Sequence, residues 1–233
     1  MSFRADIGII GAMDAEVESL IAVMQDRKTE KVGGIEFNTG IISDKNIVVA
    51  KCGVGKVFAA LCAEAMAVLY TPSLIVNTGV GGAADINLKA NDVVFADKLL
   101  QYDMDTSAVG DPVGMISGIN KIYFDSDKRA VEILKSAAEE LGIDYKVGTV
   151  ATGDKFVASP EEKILLSRRF GAVACEMEGG AIAHVSFVND IPFVVVRAIS
   201  DSVFGDASVD FFQFLKTAAE VSAKLTLRLI SLW

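Results

Sequence analysis

Short runs of β-branched and other apolar residues, each followed by a longer stretch of helical period, constrain this chain more than any other feature. Phe193-Val-Val-Val-Arg197 is the strongest of them, apolar on both faces and suited to a parallel strand covered from both sides. Ile7-Gly-Ile-Ile-Gly11 is a second buried-strand candidate, and Val17, Leu20, Ile21 and Met24 after it form one stripe at helical spacing. Leu74 to Thr78, Tyr145 to Ala151 and Ala172 to Cys175 read as further strands, as do Asp92 to Ala96 and Leu99 to Tyr102. Gly34 to Ile42 and Asn46 to Lys51 pair as a hairpin around Ser43-Asp44-Lys45. Val57 to Leu69, apolar on nearly all sides, predicts a buried helix. Asp127 to Leu141, stopped by Gly142, predicts a second helix, Pro160 opens a third, and Glu178 to Phe187 a fourth. The last segment places Leu215, Ala218, Ala219, Ser222, Leu225 and Leu229 on one helical face. Such alternation implies one α/β domain over residues 1–233, with a central mixed β-sheet flanked by helices.

Composition narrows the chemistry. A formal net charge of −9 disfavours nucleic acid and anionic membrane surfaces as partners. No stretch is long and apolar enough for a membrane span. The three cysteines, Cys52, Cys62 and Cys175, lack CxxC spacing and suit a reducing, cytoplasmic setting. With one histidine, His184, multi-histidine metal motifs are excluded, and no metal or cofactor is expected. His184 lies mid-helix among apolar neighbours and reads as a packed core or edge residue. Catalysis is left to carboxylates, hydroxyls, backbone amides and a few arginines.

Ligands of α/β sheets collect beyond the carboxyl ends of strands. Gly11-Ala-Met13, Gly79-Val-Gly-Gly82, Thr152-Gly-Asp154, Glu176-Met-Glu178 and Ser200-Asp201 all fall at such ends. Alone, Gly79 to Gly82 reads as a tight turn, with close backbone approach to a ligand as the alternative. Alone, Glu16 suits a helix dipole, Glu178 a helix start and Asp201 an N-cap. Together these acids, without basic residues placed locally to neutralise each one, suggest a pocket that needs carboxylates. Arg197 is the exception, close enough to Asp201 in sequence to serve the same site. Gly53-Val-Gly-Lys56 lacks both the first glycine and the Ser/Thr of a P-loop.

GIIGAMDAEV (8–17), CGVGKV (52–57), NTGVGG (77–82), TGDKFV (152–157), ACEMEGGAIAH (174–184) and VVVRAISD (194–201) fall in one family's order and spacing. The chain resembles the bacterial 5′-methylthioadenosine/S-adenosylhomocysteine nucleosidases of the purine nucleoside phosphorylase superfamily, from about Ile7 to the last helix. That resemblance implies a nucleoside phosphorylase-like fold and hydrolysis of the N-glycosidic bond of 5′-thio-substituted adenosines. It implies that Glu16 activates water and that Asp201, helped by Ser200, protonates adenine N7. Glu178 would hold the ribose hydroxyls with Met177 against the sugar, Phe156 would stack on adenine, and the Val157 backbone would read its edge. Arg197 would lie near the water and Glu178, while Met13, Gly81 and Glu176 complete the substrate surface. The chemistry is coherent: an oxocarbenium-like sugar and a poor leaving group need one carboxyl as acid and another as base.

The family's hydroxyl residue is replaced here by Val80, which removes a contact to the attacking water. The segment 103–118 corresponds to one that reaches a neighbouring subunit's 5′ pocket, with Val109 and Met115 or Ile116 apolar enough to do so. A homodimer is the expected assembly, against a loop packed on its own subunit. Two rivals stand beside hydrolysis: a phosphate-dependent phosphorylase, for which 79–85 lacks arginines, and an adenosine-binding homologue without turnover. The preferred 5′ substituent is open among methylthioadenosine, S-adenosylhomocysteine, 5′-deoxyadenosine and aminodeoxyfutalosine.

Overall fold

The computed structural model describes residues 3–233. Its apolar runs become strands because alternate side chains can be buried on opposite faces of one sheet. In β1 (Ile7–Gly11), Ile7 and Ile9 point into one core and Ile10 into the other. In β10 (Phe193–Asp201), Val194 and Val196 face the first of these cores, Phe193 and Val195 the second. One core is closed by α1 (Asp14–Ala22), α3 (Lys128–Leu141) and α6 (Ala207–Leu232), the other by α2 (Lys56–Tyr70) and α5 (Gly179–Val188). The result is a single α/β domain whose mixed sheet is flanked by helices.

The sheet runs β10-β6-β8-β9-β5-β1-β4-β3-β2, where β2 is Gln25–Val32, β3 Ile35–Ile42, β4 Lys45–Lys51, β5 Leu74–Ala83, β6 Val93–Gln101, β8 Tyr145–Thr152 and β9 Ala172–Glu176. A short β7 (Phe124–Asp125) adds to β6. Because β10 also pairs with β5 in parallel, strands β5, β10, β6, β8 and β9 close on themselves, and β1, β4, β3 and β2 extend from β5 as an open wing. Closure brings the carboxyl ends of β5, β9 and β10 together: Gly82 lies opposite both Cys175 and Asp201.

The predicted hairpin forms as β3 and β4, with Ser43 and Asp44 at φ of 50° and 62° as a two-residue turn and Lys45 already in β4. Asp127 caps α3 by accepting from the Ala130 amide, and Gly142 closes it in the left-handed region. Four expectations are corrected. Met24 lies beyond the end of α1, and the exposed, charged strand β2 follows, for which an edge position supplies pairing without any apolar alternation. The segments 92–96 and 99–102 are one strand, β6, interrupted by an irregularity in its pairing with β8 between Ala96 and Leu99. Gly79 to Gly82 is no turn but part of β5, with none of its glycines at positive φ. Finally, α2 is not buried all round: Val57, Phe58, Leu61 and Val68 are exposed.

Candidate active site

Met13, Glu16, Val80, Gly81, Phe156, Val157, Glu176, Met177, Glu178, Ser200 and Asp201 line one cleft at the converging strand ends. Ala12, Val54, Gly82, Lys155, Cys175 and Phe211 complete its wall.

Glu16 sits at the third position of α1, buried, where its carboxylate reaches back over the helix N-terminus. Oε2 accepts from the amides of Ala12 (2.6 Å) and Met13 (3.0 Å), and Oε1 accepts from the Val80 amide (3.0 Å). Burial raises its pKa, against the pull of Arg197 and of those three amides. A carboxylate shifted upward yet firmly oriented is suited to taking a proton from water. The absent side chain of Gly79 makes room for it: a Cβ there would collide with Oε1. The glycines of β5 therefore serve close approach of carboxylates to the strand, Gly79 for Glu16 and Gly82 for Asp201, whose Oδ2 would lie 2.9 Å from an added Cβ.

Glu178 is the N-cap of α5 and its Oε1 accepts from the Gly55 amide at 2.9 Å. Burial, reinforced by neighbouring Glu176, pushes its pKa up to about 7 despite Arg197 and the Gly55 bond. The CGVGKV motif thus contributes a backbone donor at the positive-φ position Gly55, at the head of α2, and holds no phosphate loop. Glu176 lines the cleft but is engaged by protein groups. Oε2 accepts from Arg197 (2.5 Å), from Glu178 N (3.0 Å) and from Gly179 N (2.6 Å), and Oε1 accepts from the Thr152 hydroxyl. Arg197 is buried behind the cleft, bonded also to the Asn77 side chain and to the carbonyls of Asn77 and Val196.

Asp201 ends β10 beside Ser200, whose hydroxyl donates to Oδ1 at 2.7 Å. Its Oδ2 accepts from Lys163 Nζ at 2.5 Å, and neither side chain is exposed beyond 2%. The expectation that these acids lack local bases is corrected at Asp201 by this pair, which comes from α4 (Pro160–Phe170), while Arg197, the exception in the sequence, pairs with Glu176 rather than with Asp201. Lys163 had a faint sequence signal, since it shares the inward face of its helix with Leu166 three residues on. Asn77 had one too, as a polar residue inside the apolar run of β5. The Gly55 donor had none, because it depends on φ and on a residue far along the chain.

Val80 supplies its amide to Glu16 while its side chain packs with Met13, Ala198 and Ala218. Phe156 is half exposed at the cleft mouth, edge-on to Phe211 with ring centroids 5.6 Å apart. His184 is half-buried, stacked on Phe124 at 5.4 Å and away from the cleft, and burial lowers its pKa. The segment 103–120 holds one 3₁₀ turn at Ser107–Val109 and a bridge from Ile116 to Lys121. Ile116 is buried in its own subunit's core, so its side chain is spent there, whereas Val109 is 82% exposed and Met115 half-buried. None of the three lines the cleft of this single chain.

A model of the phosphorylase superfamily matches residues 6–231. The chain is 39% identical, over 96% of its length and 98% of the relative's, to a 5′-methylthioadenosine/S-adenosylhomocysteine nucleosidase of Haemophilus influenzae. Among solved structures it is similar to the Neisseria meningitidis nucleosidase of the same description in complex with methylthio-immucillin-A. That likeness has a TM-score of 0.94 and 33% identity, covering 97% of this chain and 99% of that one. A futalosine hydrolase of Helicobacter pylori is also similar, with a TM-score of 0.93 and 34% identity over 97% of each chain.

Proposed function

Because the chain belongs to the phosphorylase superfamily and, within it, to the 5′-methylthioadenosine/S-adenosylhomocysteine nucleosidases, we propose that it hydrolyses the N-glycosidic bond of 5′-substituted adenosines to adenine and a 5-substituted ribose. One observation carries this reading. Glu16, Glu178 and Asp201, brought from α1, the start of α5 and the end of β10, face one cleft with Phe156 at its mouth. In the proposed reaction Glu16 removes a proton from water, the water oxygen attacks C1′, and the C1′–N9 bonding pair passes into the purine. Asp201 gives its proton to N7, so that adenine leaves neutral. Ionised Glu16 and Glu178 stabilise the positive charge developing on the sugar, and Glu178 also accepts from the ribose hydroxyls. Phe156 stacks on the base, Met177 packs on the ribose, and Arg197 acts through Glu176 to hold the loop that carries Glu178. Positioned acid–base groups of this kind contribute on the order of 10²–10⁴-fold each.

Water rather than phosphate is the acceptor in this reading, because the carboxylate of Glu16 lines the cleft and Lys155 is the one cation among its described lining residues. Incubation with 5′-methylthioadenosine in phosphate-free buffer tests it. Free adenine and a reducing 5-methylthioribose are expected. Strict dependence on phosphate with a sugar 1-phosphate product overturns hydrolysis, and tight binding without adenine release overturns catalysis. The same assay across S-adenosylhomocysteine, 5′-deoxyadenosine and aminodeoxyfutalosine ranks the 5′ substituents.

The assembly we propose is a homodimer in the cytoplasm. The exposed face of α2, with Val57, Phe58, Leu61 and Val68, is too apolar to stay in water, and Val109 projects from the same subunit toward solvent. No helix among the described residues is long and apolar enough to cross a membrane.

A further inference from the structure

Lys163 has no part in the chemistry so far, yet its ammonium is fully removed from water. Moving an ammonium out of water costs several kcal/mol unless it is paired and hydrogen-bonded. Lys163 is 0% exposed, with Nζ 2.5 Å from Asp201 Oδ2 and 2.8 Å from the Ser202 carbonyl oxygen. It projects from α4, whose first turn is set by the Ser159 cap and Pro160, and it does not line the cleft. The other oxygen of Asp201, Oδ1, accepts from Ser200, whose hydroxyl also lies 3.3 Å from the Gly81 carbonyl oxygen. The carboxyl is therefore gripped from both sides, in a space that only glycine at position 82 leaves open.

We propose that Lys163 is a positioning residue for the acid of the reaction. It clamps Oδ2 of Asp201 so that Oδ1, beside Ser200, is the oxygen that carries and delivers the purine's proton. The inference rests on the proposed nucleosidase reading. The Lys163 ammonium at Oδ2 can only donate, whereas the Ser200 hydroxyl at Oδ1 can turn to the Gly81 carbonyl oxygen and accept, which makes Oδ1 the oxygen whose neighbour tolerates a hydrogen. In the reaction the Oδ1–H bond breaks, an N7–H bond forms, and the C1′–N9 pair moves into the purine. Asp201 is left as a carboxylate beside a fixed cation, within reach of solvent only through the cleft. A cation that meets a charge created during bond cleavage favours the transition state over the bound substrate. Its effect falls on kcat rather than KM.

The test is steady-state kinetics with 5′-methylthioadenosine on wild type, Lys163→Met, Lys163→Arg, Asp201→Asn and the double variant Lys163→Met/Asp201→Asn. Lys163→Met is expected to lower kcat by about tenfold to 100-fold with KM within about threefold. Lys163→Arg, which keeps the charge, is expected to recover most of that loss. In the Asp201→Asn background Lys163→Met is expected to cost less than about twofold, because the clamp has nothing left to act on. Wild-type kcat in Lys163→Met, no gain from arginine over methionine, or losses that multiply in the double variant each overturn the proposal. Should Lys163→Met not fold, the double variant against Asp201→Asn, where neither buried charge remains, decides the matter: a further loss in kcat beyond about twofold overturns the proposal and none beyond it supports it. An active wild type with an indifferent Lys163 overturns the clamp alone, whereas an inactive wild type overturns the nucleosidase reading and the clamp with it.

Discussion

Glu178→Gln should make the substrate-free protein more stable at neutral and alkaline pH while disabling it. Burial and Glu176 raise the Glu178 pKa from 4.5 to about 7. A carboxyl with a higher pKa folded than unfolded gives stability that is complete below the unfolded value and lost as pH rises to the folded one. Between 4.5 and about 7 the folded chain holds one proton more than the unfolded chain at this group, so stability falls by about 1.4 kcal/mol per pH unit. Summed over that window the loss approaches about 3 kcal/mol, a large share of a typical folding free energy. Glutamine has nearly the same shape, can still accept from the Gly55 amide, and has no proton to lose. Urea unfolding of both proteins at pH 4.5 and pH 8, without ligand, reads the titration that Glu178 shares with the neighbouring Glu176, because groups remote from that pair are common to both proteins. The stability difference, variant minus wild type, is expected to grow by about 2–3 kcal/mol toward pH 8. A pH-independent difference, or one that shrinks with rising pH, would refute the claim that ionising Glu178 destabilises the folded state.

Glu16→Gln should lower kcat by about 10²-fold or more with an unchanged circular dichroism spectrum, and near-normal turnover would mean that another group takes the proton from water. Gly79→Ala drives a Cβ into the Glu16 carboxylate, so loss of activity should accompany a lower melting temperature; an active, stable variant would show that Glu16 has freedom it lacks here. Val80→Thr keeps the shape and the amide that Glu16 uses, and kcat should stay within about threefold of wild type. A rise of about tenfold would instead show that a hydroxyl here positions the water. Leu61→Asp, on the exposed face of α2, should give a monomer in sedimentation analysis, and a dimer that persists would move the interface elsewhere.

Much of this architecture could be read directly from residue order. Phe193 to Arg197, Ile7 to Gly11 and Leu74 to Thr78 carry their strand signal locally, because residues apolar on both faces have few alternatives to a strand covered on both sides. Asp127 with Gly142 and Ser159 with Pro160 are stops and starts whose chemistry lies within one turn of the helix they bound. Likewise Glu16, Glu178 and Asp201 declared themselves as acids at strand ends and in motifs of specific spacing. Strand β2 did not, since its charged sequence borrows its conformation from hydrogen bonds to β3 rather than from burial.

What tertiary structure alone decided are the relations between distant segments. The roles of Gly79 and Gly82 as clearances for carboxylates, the Gly55 donor to Glu178, the diversion of Ile116 into its own core and the Lys163–Asp201 pair all join residues far apart in the chain. Periodicity reports only which face of an element avoids water. Which charge meets which, and how strongly burial biases each proton, follows from closing β5, β9 and β10 around a shared end, where loss of solvent turns ordinary acids into a coupled set.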